Sequence, residues 1–581
     1  AFSFQFDADF ADLFEVRGVK REKRGARLEP VIEADHLAFS YRGLDDVLRR
    51  TEIHFAPAPV QLTTSEALFR TVLDAKKDEL YALTYSFQSN SQRTVPRARQ
   101  AARAEAKTAL ASIRAEECTI RTSNDEFNSW LERSISDLHM MFSETPYGIY
   151  PYAGVPWFST PFGRDGIITA LEVLWLNPRV ARGVLGYLAA HQATQLNAEK
   201  DAEPGKILHE ARLGEMAALQ EIPFDRYYGS TDATPLFVML AGAYYERTGD
   251  LKTIRNIWPQ IKLALQWIDT YGDADGDGFV ETMRHSPAGL VQQGWKDSWD
   301  SVSHRDGTIP EFPLALCEVQ GYVYAAKLAA AAMAADLGHG DTARDLCAQA
   351  QILKQQFNRA FWCDELSTYA IALDRDKRPC EIIASNAGHC LFAGIATDEY
   401  ARRVAKTLLS EGSFSGWGIR TLDMAEVRYN PMSYHNGSVW PHDNAIIAAG
   451  LARYGLDAGV NRIVGGLFDA SLYFEIQRLP ELFCGFTRRE GEGPTRYPVA
   501  CSPQAWAAGA VFLLLQTCLG LSIQANQSTV CFTAPSLPDF VTEVHIKNLR
   551  VGSGAVDLVM DRAFRGIGVE RRVGDATIVL R

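Results

Sequence analysis

The sequence predicts a mainly α-helical fold, a toroid of helix pairs set between an N-terminal β domain and a small C-terminal β segment. Three observations carry that expectation. Between Gly163 and about Leu521, amphipathic stretches follow one another without intervening strands, separated by Gly-, Pro- and Trp-rich loops. Period-2 alternation is confined to the two ends of the chain. A length of 581 residues allows one large core with smaller domains beside it.

Residues 1–120 read as the β domain with a linker helix. Phe2, Phe4 and Phe6 alternate, as do Ile53 and Phe55, then Leu80, Ala82 and Thr84, with the turn-rich run Ala56-Pro57-Ala58-Pro59 between them. From Pro96 to Glu117 the composition shifts to Ala, Arg and Glu at helical spacing, with Thr94 as a cap and Pro96 in the first turn. A second helix runs from Asn124 towards Met141. Residues 121–523 form the helical domain, with about a dozen helical candidates by periodicity. They include 166–175, 231–245, 251–270, 313–335, 342–361, 444–454 and 502–519, mostly as hairpins around a shared core. Residues 524–581 return to strands, over 540–546 and 555–560 beside the turn Gly552-Ser553-Gly554.

Bulk properties exclude several classes. The formal net charge of -12 offers no basic field to a polyanion, so nucleic acid is not an expected partner. The apolar run from Ala505 to Leu521 contains Gln516 and Thr517 and follows Ser-Pro-Gln, which makes it a buried helix and leaves no expected membrane span. Ten cysteines without a Cys-x-x-Cys pair argue against structural zinc or a disulfide framework and fit a reducing, cytoplasmic setting. The chain starts abruptly in a strand-like run without Met, which predicts that an N-terminal piece precedes Ala1 and weakens any reading of a missing export signal. The composition does not speak to oligomeric state.

Four loops pair aromatics with carboxylates: 157–165, 224–232, 294–300 and 434–443. Sugars present apolar C–H faces ringed by hydroxyls, so their sites combine aromatic platforms with paired polar donors and acceptors. Glycoside hydrolysis adds two carboxyl groups, one protonated to assist the leaving oxygen and one ionised. Asp297 and Asp300 each have a Trp within two residues, which would desolvate them and raise their pKa. Local chemistry ranks the two equally.

Several segments together resemble the bacterial amylo-α-1,6-glucosidase, or glycogen-debranching-like, family. They are Phe10-Ala11-Asp12-Leu13-Phe14-Glu15-Val16-Arg17-Gly18, Pro161-Phe162-Gly163-Arg164-Asp165, Lys206-Ile207-Leu208-His209-Glu210 and Tyr228-Gly229-Ser230-Thr231-Asp232-Ala233-Thr234-Pro235. Further on come Gly294-Trp295-Lys296-Asp297-Ser298, the run from Ser433 to Pro441, Arg478-Leu479-Pro480-Glu481-Leu482-Phe483, and the run from Pro498 to Trp506. The resemblance implies a six-hairpin (α/α)6 toroid preceded by a β-sandwich-like domain, and an inverting exo-glycoside hydrolase acting on α-glucosidic or related α-linked oligosaccharides. It makes Asp297 the general acid and Glu481 the general base, with Arg164 and Asp165 holding hydroxyls of the terminal sugar. The large transferase domain of the bifunctional eukaryotic enzymes has no room in this chain.

Other readings stand beside these. Asp297 also reads as an N-cap or a structural ion pair, with Asp300 in reserve, and Glu481 as a surface carboxylate, with Glu210 and Glu475 as competitors. Arg164 and Asp165 also read as an ion pair at a helix start. Trp157, Trp295, Trp417 and Trp440 are sugar platforms or packing, Tyr228 and Asp232 further sugar contacts, and His435 a contact or a satisfied core histidine. A phosphorylase on the same toroid, with Arg488 and Arg489 as an anion pocket, and a non-catalytic sugar-binding protein are the alternatives to a hydrolase. No cofactor is expected. Asp273, Asp275 and Asp277 open like a calcium loop with Gly278 sixth, yet the twelfth position is Arg284 where a bidentate Glu belongs, so a tight polar turn competes with bound calcium.

Overall fold

The computed structural model describes residues 1–90, 92–94, 97–563 and 566–581. The chain divides into two compact units, Ala1–Ile113 with Arg212–Asp225, and Arg114–Ala211 with Arg226–Arg581.

The first unit is built on alternation. A five-stranded antiparallel sheet runs in the order Ala26–Ile32, His36–Arg42, Leu48–Ala56, Ala82–Ser89 and Gln92–Arg93. A three-stranded sheet takes Phe2–Gln5, Glu66–Phe69 and Gln61–Leu62, with the Glu66–Phe69 strand in the middle. Leu37, Phe39, Ile53 and Phe55 project from one face of the first sheet and share an apolar core with Ala67 and Phe69 of the second, Phe2 and Phe6 packing at its edge. The family-like run from Phe10 to Gly18 forms a one-turn helix, Leu13–Val16, closed by a capping box in which the Asp12 side chain accepts from the Phe14 N–H and Glu15 reaches back to the Asp12 N–H. Segment 212–225 belongs to this unit through Glu215, whose carboxylate accepts from Tyr41 Oη (2.9 Å), the Leu44 N–H (2.9 Å) and Arg21 (3.2 Å). The linker helix spans Arg99–Glu116. Thr94 does not cap it, because its Oγ1 accepts from the Phe87 N–H at 2.7 Å. Pro96 lies outside the described residues.

Among the described residues, twelve helices of two or more turns organise the second unit: α1 (Asp125–Met141), α2 (Gly163–Glu172), α3 (Pro178–Ala190), α4 (Ala233–Thr248), α5 (Leu251–Asp269), α6 (Cys317–Asp336), α7 (Gly340–Ala360), α8 (Asn386–Ala393), α9 (Asp398–Leu408), α10 (Pro441–Arg453), α11 (Asp457–Ser471) and α12 (Ala505–Leu519). The even-numbered helices pack in a cycle, α2 on α4, α4 on α6, α6 on α8, α8 on α10, α10 on α12 and α12 back on α2. Each odd-numbered helix packs outside an even one, α3 on α2, α5 on α4, α7 on α6, α9 on α8, α11 on α10 and α1 on α12.

Composition follows that arrangement. In α12 only Gln516 and Thr517 are not buried, so the apolar run reads as an inner helix, and each fully buried Leu or Val there contributes roughly 1.5–3 kcal/mol. In α9 the buried residues reduce to one stripe, Ala401, Val404, Ala405 and Leu408, as an outer helix needs. Among the described residues no helix is long and apolar enough to cross a membrane. The ten cysteines are free thiols.

The C-terminal strands belong to this second unit. Glu543–Val551 pairs with Gly554–Ala563 across the expected Gly552-Ser553 turn, and on its other edge with Thr119–Thr122. A separate three-stranded sheet joins Leu521–Gln524, Thr529–Phe532 and Thr577–Leu580.

Candidate active site

The site grows from the first turns of the inner helices. Gly163 opens α2 so close to the neighbouring chain that an added Cβ would stand 1.9 Å from the Leu208 carbonyl oxygen, and its N–H donates to the His209 carbonyl at 2.8 Å. The next residue, Arg164, is 3% exposed. Its Nη1 donates to Asp232 Oδ1 and Oδ2 at 3.1 and 3.0 Å and to the Gly294 carbonyl at 2.6 Å, and its Nη2 donates to Asp297 Oδ2 at 3.1 Å. Asp232 is the N-cap residue of α4, fully buried, and takes a further bond from Ser230 Oγ at 2.7 Å. One planar guanidinium thus ties the loops 224–232 and 294–300 to the start of α2. Burial disfavours that cation, but Asp232, Asp297 and Asp165 outweigh it and raise its pKa.

The fourth loop enters through His435, whose Nδ1 accepts from the Ser298 N–H at 3.3 Å and lies 2.7 Å from Ser298 Oγ. That contact places its remaining proton on Nε2. Burial, with Lys296 and Arg164 nearby, holds the ring well below the usual histidine range, so it is neutral. Its neighbour Tyr434 donates its hydroxyl to Glu481 Oε1 at 2.5 Å, and the Cys501 N–H donates to Glu481 Oε2 at 2.9 Å. Glu481 is 2% exposed and fixed at both oxygens.

Two side chains sense both predicted carboxylates. Asp165 is pushed up to about 7 by burial, then by the neighbouring carboxyl groups of Glu481 and Asp297, against the pull of Arg164. The Tyr434 hydroxyl is pushed well above its usual range by burial, by Glu481 and by Asp297. The cluster therefore retains a proton up to neutral pH. Gln504, just before α12, donates to Asp165 Oδ1 at 3.3 Å.

The sequence left Asp297 and Asp300 equal, and their surroundings differ. Asp297 faces Arg164 within the cluster with its side chain 30% exposed, whereas Asp300 faces Arg428 at 3.9 Å. Of the other carboxylates, Glu210 is buried beside His209 at 4.0 Å and Glu475 is exposed on a single turn of 3-10 helix.

The aromatic residues divide. Trp295 stacks over His389 at 5.7 Å with Trp440 against its edge, Trp440 stacks on His435 at 5.1 Å, and Trp417 lies under the Arg488 guanidinium at 4.3 Å. All three rings are covered by protein, at 1–2% exposure. Trp157 is half-buried, with Nε1 donating to the Val499 carbonyl at 3.0 Å, and Tyr228 turns its hydroxyl to the His191 carbonyl at 2.8 Å. Sequence reasoning missed Trp299, which is 61% exposed in the same loop as Asp297. It also passed over Lys296, whose Nζ donates to the Thr421 carbonyl at 2.5 Å and whose pKa burial lowers to about 8 against the pull of Asp443 and Glu318. The neighbouring Trp and Asp were the signal; which Trp faces solvent is decided by packing.

Residues 164–479, more than half of the chain, match the mannosylglycerate hydrolase MGH1-like glycoside hydrolase domain. The chain belongs to that glycoside hydrolase family. The matched domain begins at Arg164 and contains Asp232, Asp297 and His435, while Glu481 falls just beyond its end. Residues 1–83 match the N-terminal domain of some glycogen debranching enzymes, in keeping with the resemblance read from the Phe10–Gly18 run. No curated protein matches the chain. Among solved structures, a GH78 family rhamnosidase of Bacillus sp. GL1 shares 15% identity over 95% of this chain and 54% of its own, with a TM-score of 0.57. A sialidase shares 14% over 80% of this chain and 41% of its own, at 0.56. The GH63 mannosylglycerate hydrolase from Thermus thermophilus, in complex with glucose, shares 15% over 66% of this chain and 99% of its own, at 0.51. The chain thus spans about half the length of the rhamnosidase and less of the sialidase. At such identities these likenesses concern the fold.

Proposed function

We propose that the chain is an inverting, exo-acting glycoside hydrolase of α-glucosidic or related α-linked oligosaccharides, working inside an (α/α)6 toroid. The cyclic packing of α2, α4, α6, α8, α10 and α12, with one outer helix on each, supports the six-hairpin reading. Asp297 is the general acid and Glu481 the general base, with Arg164 and Asp165 at the terminal sugar.

The observation that carries this reading is the convergence of four sequence-distant loops on one cluster, in which Asp165 and Tyr434 each feel both Asp297 and Glu481. Glu481, held by Tyr434 Oη and the Cys501 N–H, has the fixed orientation that a base needs to aim a water. Asp297 is the more open carboxyl, as the group that reaches a glycosidic oxygen must be. Trp299 offers the exposed aromatic face for an outer sugar ring. The buried Trp295, Trp417 and Trp440 act by shaping the site's walls.

Arg488 and Arg489 are engaged elsewhere, with Asp469 at 2.6 Å and Glu492 at 3.6 Å, which favours hydrolysis over phosphorolysis. The loop at Asp273, Asp275 and Asp277 holds a fixed cation, because Lys377 Nζ stands 2.8 Å from both Asp275 Oδ2 and Asp277 Oδ2 and contacts Glu281. This ammonium takes the place of calcium in our reading.

The test is a panel of α-linked glucosides, rhamnosides, arabinosides and mannosylglycerate assayed with and without phosphate. Asp297→Asn is expected to lower kcat by about 10²–10⁴-fold while sugar binding persists. Full activity in that variant removes Asp297 from its role. NMR of the first anomer released is expected to show inversion; release of the substrate's own anomer refutes it.

A further inference from the structure

Beneath the site, a cavity of about 370 Å³ lies between α2, α4, α6, α8, α10 and α12, reaching from Leu236, Tyr322 and Ile446 towards the C-terminal ends of these helices. Glu172 marks its distance from Arg164 and Asp165: it is the last residue of α2, seven residues past Asp165, or roughly 10 Å along the helix. Ile168, Leu171, Leu236, Ile446 and Leu513 supply apolar walls. Glu246, Arg453 and Ser522 also line it and are exposed, so it reaches the surface there.

Two buried titratable groups line this cavity without the partners their chemistry calls for. Arg247 is 6% exposed; its Nη2 donates to the Trp175 carbonyl at 3.0 Å, its Nε has no hydrogen-bond partner, and no carboxylate pairs with it among the described residues. Burial without a counter-ion lowers its pKa to about 10, against a small opposing influence from Cys118. Glu172 is fully buried and neither carboxyl oxygen has a partner. Its Oε2 lies 2.2 Å from where a Cβ would stand on Gly509, so the glycine in α12 makes room for the acid. Burial, together with the charge of Asp165, pushes this acid well above the usual carboxylate range. The other titratable groups lining the cavity are Glu246, Tyr322 and Arg453. Beside Glu172, the two guanidinium groups of Arg247 and Arg453 outnumber the one carboxylate of Glu246 in the lining.

We propose that this cavity binds a small organic anion with an apolar body, its carboxylate paired with Arg247 and a hydroxyl at its far end bonded to Glu172. An unpaired buried guanidinium is unfavourable, a carboxylate ligand offsets that cost, and the apolar walls recognise the body. The orphaned carboxyl selects a ligand whose far end is polar.

4-Hydroxyphenylacetate is the probe, with its neutral amide and phenylacetate as controls, read by saturation-transfer NMR and thermal shift on the full chain. Saturable binding below about 10 mM and a rise of about 1–3 °C in Tm are expected. The amide is expected to bind at least about tenfold more weakly, and phenylacetate more weakly than the hydroxylated probe. Arg247→Gln is expected to abolish binding and Glu172→Gln to reduce the preference for the hydroxyl. The NMR comparison of probe and amide on the wild type needs no variant to fold. No saturable binding, equal binding of the amide, or full binding to a folded Arg247→Gln variant overturns the proposal.

Discussion

Asp165 shows how a residue can be costly to the fold and useful to the site. Its carboxyl, buried beside Glu481 and Asp297, is pushed from 3.8 to about 7. An acid whose pKa is raised by folding is stabilising only while protonated: below about pH 4 it carries no penalty, and the penalty grows as pH rises and is complete above about 7. That rise corresponds to about 4 kcal/mol at most. Asp165→Asn removes this titration while keeping an oxygen for the Gln504 amide to meet at Oδ1. The wild type is therefore expected to lose stability between pH 4 and pH 7 relative to the variant, which urea melts across that range measure directly; parallel stability curves would refute it. The same variant is expected to lose activity through KM and kcat together, since the group both binds hydroxyls and sets the protonation of the cluster. Why Asp297 and Asp300 looked alike in the sequence is clear at this scale. What separates them is Arg164, more than a hundred residues earlier in the chain, and no local feature encodes that encounter.

Among the elements, periodicity located the helices and misjudged several of their beginnings, though Leu251 opens α5 as expected. Helices α2 and α10 start at Gly163 and Pro441, each three residues earlier than the apolar pattern indicates. The reason is that Arg164, Asp165, His442 and Asp443 are polar yet buried, so the first turns of the inner helices break the rule that buried means apolar. Helix α6 errs the other way, starting at Cys317 because Ala315–Leu316 is taken by a two-stranded pairing with Ala372–Leu373. The loop after α5 was legible in one half only. Its aspartates resemble a calcium site, and the cation that meets them, Lys377, comes from a turn about a hundred residues later. Burial opposes the ammonium, but Asp275, Asp277 and Glu281 outweigh it and raise its pKa. Calcium is therefore expected to leave the Tm of the wild type unchanged and to raise that of Lys377→Met by a few degrees, since the variant frees the carboxylates. A calcium-dependent rise in the wild type would show that the ion displaces the lysine.

At the scale of the whole molecule, the alternation of helix and loop in the sequence foretold the helical unit and its β flanks, but not how the chain is shared out. Residues 212–225 sit between α3 and α4 in sequence and belong to the N-terminal unit in space, a placement made by tertiary bonds alone. Glu215 is their anchor. It is 4% exposed, receives Tyr41, Leu44 and Arg21, and is held below the usual carboxylate range by the Leu44 N–H, Arg21 and Tyr41 in spite of burial. An acid depressed in this way contributes stability at neutral pH that is lost as pH falls through its folded pKa. Glu215→Gln keeps the shape, removes the charge that Arg21 meets, and is expected to cost on the order of 2–3 kcal/mol. Hydrogen–deuterium exchange by peptide is the measurement. Faster exchange is expected in the strands His36–Arg42 and Leu48–Ala56 and in 212–225, where the anchor is made, with α6 and α12 exchanging as in the wild type. Loss of protection spread evenly through α6 and α12 would mean that segment 212–225 serves the helical unit, and the assignment to the N-terminal unit would have to be given up.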